Sequence, residues 1–284
     1  MSRNLTIDII RVVCIIYIIA IWHVSDYTSL FSMDNDVCYS FTCAAMGAFM
    51  FISGFLLKGK YDIDSFIDII RFVKRRFIRI VPLYIIAASY FVLVGDIQWW
   101  RILLSLIGLS SFIQPMTNTL WFVEMILLFY LLYPLLWSRH SETTILKAVV
   151  VYLAVWLLND IFYDIDVRFF YYFPCFVFGM ILPHNEFNLW QKSWKLFMSA
   201  LIIFALVVFS MYSNESKDFA NYLLYTIIAL CGTHIIVYLC NSLSKMRLGG
   251  GNLIPCLYKY GSIYVSSSNN IYNISYLLAR RWHR

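Results

Sequence analysis

Apolar residues come in long runs separated by short polar stretches, at about 5–25, 39–57, 80–95, 102–113, 120–137, 146–158, 168–183, 195–211, 220–240 and, more weakly, 252–277. A helix needs about 20 residues to cross the hydrocarbon of a bilayer. The pattern therefore predicts an all-α polytopic membrane bundle of about 9–10 segments. The run at 102–113 is too short to cross. The first run follows Arg3, contains Arg11 and ends at Trp22-His23 without a small-residue cleavage site, so it reads as a retained signal-anchor.

Lys and Arg near helix ends stay on the cytoplasmic side. With the N-terminus inside, residues 26–38 (Asp26, Asp34, Asp36, no Lys or Arg) lie outside and the basic stretch 58–79 lies inside. If 102–113 also crossed, Lys245 and Arg247 would end outside and the Asp160, Asp164, Asp166 loop inside. A re-entrant 102–113 restores agreement for every later loop. It places Gln114-Pro115-Met116-Thr117-Asn118-Thr119 near the outer face.

Composition agrees with this reading. The 284 residues are 61% hydrophobic, 19% aromatic and only 13% charged, with mean hydropathy +0.72, against roughly 25% charged in soluble domains. An ordinary cytosolic enzyme and a disordered chain are both excluded. Residues 58–79 hold a net +4 of the total +6, which reads first as a cytoplasmic loop and second as a binding site for something anionic. The seven cysteines, at 14, 38, 43, 175, 231, 240 and 256, show no metal-ligand or framework spacing and act as small hydrophobes.

There is no HExxH, CxxC or GxSxG, and Gly249-Gly250-Gly251 is not a phosphate loop, because no Lys-Ser/Thr follows. No metal and no nucleic-acid partner is expected. No internal repeat is visible, which disfavours a secondary transporter.

Ionisable groups at membrane depth are functional candidates by default, because lipid tolerates them only when they are paired or face a cavity. Asp8 and Arg11 stand three apart on the first helix and His23 closes it. Arg11 and His23 are about 18 Å apart along the axis. A histidine at the headgroup level beside Trp22 needs no function, yet its pKa also suits general-base work on an alcohol. Asp8 and Arg11 read equally as an ion pair at the start of a helix. Ser53 and Gly54 lie in an apolar run, where small residues let a neighbouring helix approach. Arg75, Arg76 and Arg79 are more cations than orientation needs, and guanidinium favours phosphate; Arg76 and Arg79 share a helix face, with Pro82 suited to the first turn of the next span. Glu124, one turn into a span after Trp121, should face His23, an arginine or a wet cavity. His234, mid-span, is a further candidate with a core role as the alternative.

Taken in order, Asp8-Ile9-Ile10-Arg11 with the run to His23, Ser53-Gly54-Phe55-Leu56, Arg76-Phe77-Ile78-Arg79-Ile80-Val81-Pro82-Leu83-Tyr84, and Leu120-Trp121-Phe122 with Glu124 resemble the acyltransferase 3 family of bacterial membrane proteins. The resemblance is dense over residues 1–137 and topological beyond. It implies one integral-membrane acyltransferase-like domain, 1–284, in the cell inner (cytoplasmic) membrane. It implies transfer of an acyl group, usually acetyl, from acyl-CoA to a hydroxyl of a cell-surface or lipid-linked glycan. Acyl-CoA (acetyl-CoA), a glycan or lipid-linked sugar acceptor and membrane lipid are the implied partners. By the same resemblance Arg11 and His23 match the essential pair of the first helix, and Arg76 and Arg79 the RxxR pair.

This sequence departs from the family pattern twice. Eleven residues rather than the usual ten separate Arg11 from His23, which turns His23 by about 100° unless a bulge absorbs the difference. Residues 262–284 are too polar for a comfortable span, and a truncated or frame-altered end is expected. The mechanism these residues suggest has the arginine stretch 74–79 on the CoA phosphates. His23, oriented by Glu124 or a backbone group, removes the acceptor proton, and Arg11 holds the donor or stabilises developing charge. A transient acyl-histidine is an open variant. A transporter or flippase of glycan intermediates, a noncatalytic scaffold and an inactive homologue are the alternatives.

Overall fold

The computed structural model describes residues 5–23, 36–58, 62–95, 98–112, 120–162, 165–213 and 220–245. Helix α1 (Leu5–Tyr17) continues into a π-helix, Ile18–His23. It is followed by α2 (Asp36–Lys58), α3 (Phe66–Val94), α4 (Trp99–Leu106) with a 3₁₀ turn at Ser110–Phe112, and α5 (Trp121–Leu136). Then come α6 (Ser141–Phe162), α7 (Arg168–Ile181), α8 (His184–Trp190), α9 (Trp194–Ser213) and α10 (Ala220–Lys245). The chain divides into two compact units, Met1–Asn241 and Ser242–Arg284. Of the second, only the last turn of α10 is described, and the atypical tail 262–284 lies outside the described residues.

The fold is the predicted all-α polytopic bundle. Among the described residues α2, α3, α6 and α10 are long and apolar enough to cross a membrane, and α8 with α9, bent by 71° at their junction, forms a fifth candidate. At the end of α1 and the start of α2, Tyr17 meets Thr42. At that same end Arg168 of α7 lies over Trp121 of α5, and Tyr39 packs on Tyr225 of α10. At the opposite end Lys58 donates to Ser141 Oγ and to the Ile181 carbonyl, and Arg139 pairs with Asp64. Successive helices thus alternate in direction.

The short run at 102–113 enters and leaves by one end. Helix α3 runs antiparallel to α5, with Phe72 against Tyr133, Arg76 over Tyr130 and Tyr84 bonded to Glu124, so α3 finishes where α5 begins. Between them Gly108 reaches Leu128, about 10 Å below Trp121 on α5, and Phe112 returns to Phe169 in the first turn of α7. Eight residues of α4 span only about 12 Å. The segment Gln114–Thr119 lies outside the described residues.

The basic stretch is a helix in its second half, which corrects the loop reading. Ser65 caps α3, its Oγ accepting from the Asp68 backbone N–H and donating to the Asp68 carboxylate. This reciprocal arrangement is a capping box. Pro82 is consequently an interior residue of α3 and not a first-turn one. With 29 residues, α3 measures about 43 Å, against about 30 Å of hydrocarbon. The excess of about 13 Å lets its first turns, as far as Lys74 and including Arg71, reach beyond the span.

Small residues hold the core together. A Cβ on Gly54 of α2 would overlap the Phe176 carbonyl of α7, and one on Gly179 would overlap the Phe51 carbonyl. The two backbones touch where these glycines face each other. On α2's other side Gly47 lies against Ala229, and Gly232 of α10 against Ala44. Without a hydrophobic drive between helices in lipid, such close approach is what association rests on. Around the α2–α7 crossing, Phe51, Phe129, Phe169, Phe173 and Phe176 form a buried aromatic cluster.

Candidate active site

Helix α5 carries two residues singled out by sequence, Trp121 and Glu124, one turn apart and both buried. Glu124 is 1% exposed. Its Oε1 accepts a hydrogen bond of 2.9 Å from the Tyr84 hydroxyl of α3, and the Ser105 side chain of the re-entrant segment also meets Tyr84. Ser105 in turn donates to the Arg101 carbonyl. A carboxylate inside the bundle thus takes part in a hydroxyl network.

Beside it, between α2, α5 and α7, is a cavity of about 290 Å³ lined by Tyr39, Thr42, Trp121, Asp166, Val167, Arg168 and Tyr172. Asp166 builds it from the chain upward. Its Oδ1 accepts from the Arg168 backbone N–H at 2.8 Å and so starts α7. The same carboxylate takes the Arg168 guanidinium in a fork, Nε to Oδ1 at 2.8 Å and Nη2 to Oδ2 at 2.5 Å. That fork lays the guanidinium over Trp121, 4.3 Å from the ring centroid. Trp121 also stacks on Tyr172 at 6.0 Å. Bidentate pairing and ring stacking are both geometries that an ammonium does not supply.

Thr42 joins the cavity to α1. Its Oγ1 lies 2.9 Å from the Tyr17 hydroxyl and donates to the Cys38 carbonyl. Beyond Tyr17 the helix widens into the π segment that ends at His23. A π turn closes over one more residue than an α turn. Twelve residues of unbroken α-helix would set positions 11 and 23 about 120° apart; one residue absorbed in the π turn returns position 23 to within about 20° of position 11. The extra residue noted in the sequence is taken up here, in the backbone. The side chains of Trp22 and His23 lie outside the described residues.

The other sequence candidates are placed apart from the cavity. Arg11, Arg75 and Arg79 are exposed. Arg76 is half-buried, 5.2 Å from the Tyr130 ring centroid and 5.9 Å from that of Phe72. Its guanidinium turns toward α5, while Arg79 is exposed. Ser53 donates to the Phe49 carbonyl of its own helix, and Gly54 serves the helix crossing described above. His234 is buried against Trp190 at 4.5 Å, a core position.

Sequence reasoning missed Tyr39, Thr42, Asp166, Arg168 and Tyr172. The criterion that singled out Asp8 and Arg11, opposite charges at the edge of an apolar run, applies equally to Asp166 and Arg168. The tyrosines carry no such signal among the chain's 21.

The bundle, with a buried carboxylate and a polar cavity inside it, defines a multi-pass membrane protein. The chain belongs to the acyltransferase 3 family, whose model, described as an acyltransferase domain, matches residues 4–263. Acyl transfer is therefore its chemistry. No curated protein matches it, and no solved structure does.

Proposed function

We propose that the protein is an O-acetyltransferase of the cell inner membrane, moving acetyl from acetyl-CoA to a hydroxyl of a cell-surface or lipid-linked glycan. The observation that supports this reading is the two-ended arrangement of the bundle. Guanidinium groups occupy the first half of α3, while the carboxylate network and the cavity lie toward the other end. Arg76 and Tyr84 are about 12 Å apart along α3. Arg75, Arg76 and Arg79 bind the phosphates of the donor, and the acyl arm reaches between the helices. The acceptor oxygen attacks the thioester carbon, the new O–C bond forms and the C–S bond breaks. His23 takes the hydroxyl proton and returns it to the departing CoA thiolate. Arg11, about 18 Å along the first helix from His23, holds the acyl donor, and Glu124 supports the site from α5.

Mass spectrometry of surface glycans from cells with and without the gene tests this directly. A fragment that gains one acetyl mass only with the gene is expected; identical glycans refute the acceptor class. Replacing Arg76 and Arg79 by Gln is expected to raise KM for acetyl-CoA by roughly tenfold or more, since each lost charge-assisted hydrogen bond is worth about 1.5–3 kcal/mol. An unchanged KM reduces both to topology anchors.

A further inference from the structure

We infer that the cavity between α2, α5 and α7 is the acceptor subsite and takes one neutral pyranose ring, with Arg168, held in place by Asp166, bonding its hydroxyls. The inference deepens the acyl-transfer reading and rests on it. Size limits the ligand first. At about 30 Å³ per water, 290 Å³ holds roughly ten waters, the scale of a single sugar ring.

Charge sets the class. Asp166 is 1% exposed and its bidentate pair with Arg168 cancels both formal charges within the wall. A carboxylated or phosphorylated sugar would meet a guanidinium already neutralised and a carboxylate that repels it. A hydroxyl accepts without bringing a charge of its own, so it suits a guanidinium whose charge is already paired. Trp121, Tyr39 and Tyr172 supply aromatic surface for the apolar faces of a ring. A buried ion pair adds little net stability over apolar residues of the same size, so stability alone does not account for a charged pair lining a cavity.

The place of the cavity fits the reaction. Thr42 forms part of its wall and bonds to Tyr17, six residues before His23 on the same helix. Trp121 precedes Glu124 by one turn. A ring seated here lies next to both elements that carry His23 and Glu124. Asp166 is a positioning residue for Arg168, since it fixes the guanidinium plane.

The test uses the full chain in membranes of the producing cells, with radiolabelled acetyl-CoA as donor and the endogenous glycans as acceptor. Base-labile label on glycan and the apparent KM for acetyl-CoA are read separately. Arg168→Gln and Asp166→Asn are expected to lower glycan labelling more than tenfold with KM for acetyl-CoA within twofold of wild type. Arg168→Lys is not expected to rescue, because an ammonium lacks the fork. The labelled fragment is expected to be a neutral hexose or N-acetylhexosamine. Unchanged labelling in the variants overturns the assignment, as does a rise in KM for acetyl-CoA that tracks the loss. Label on a uronic, sialic or phosphate-bearing residue overturns the neutral class. Where Arg168→Gln fails to accumulate, Thr42→Val is read instead, with a severalfold drop expected and no drop counting against the subsite. A wild-type protein that labels no glycan fails the acyl-transfer reading itself; one that labels glycan equally with or without these residues fails only the subsite.

Discussion

Membranes carrying His23→Ala are expected to lose acetyl transfer by about 10²–10⁴-fold, the usual contribution of a positioned general base, at an unchanged level of inserted protein. Retained transfer removes His23 from the mechanism. The π segment sharpens this test. Deleting one residue from 18–22 lets the helix run as α throughout and keeps position 23 about 20° from position 11, whereas inserting one turns it by about 100°. The deletion is expected to retain transfer and the insertion to lose it. Loss from both, with the protein inserted normally, would separate catalysis from the azimuth of these two positions.

The second large effect is on the fold. Gly179→Val is expected to destabilise the bundle by about 3 kcal/mol or more, since overpacking a well-filled core already costs about 1–3 kcal/mol and here the obstacle is backbone. The added Cβ overlaps the Phe51 carbonyl and crowds the Phe55 amide, neither of which a rotamer change can move. Thermal unfolding in detergent measures it, with Gly95→Ala as the contrast. Gly95 has φ +89 and nothing within 4 Å of an added Cβ, so it bears only the strain of a left-handed residue. Equal stability of Gly179→Val and wild type would mean that α2 and α7 do not approach as described.

The same pair of helices shows what was legible in advance. Ser53 and Gly54 were read both as a resemblance motif and as a means of close approach, and the structure gives Gly54 the second role. The partner glycine on α7 was not foreseen, because which two helices cross depends on the whole bundle. The extent of α3 could have been read from Ser65 and Asp68, whose spacing is a capping signal; the charge of the stretch drew attention to the loop reading instead. Arg76 and Arg79 show the limit of face arguments: positions three apart differ by about 60°, enough for one to reach Tyr130 and the other to face outward.

What the sequence determined alone was the all-α bundle and the order of its apolar helices, together with the short one that turns back. These follow from hydrocarbon thickness, which acts on each segment separately. Only the tertiary structure decided which polar groups meet. Glu124 accepts from Tyr84, 40 residues away, a partner that the sequence did not indicate. Asp166 and Arg168, close in the chain, line a cavity because α2 and α5 close over them. Lipid fixes where a helix lies along the membrane normal, but packing of side chains between helices fixes which faces look at one another.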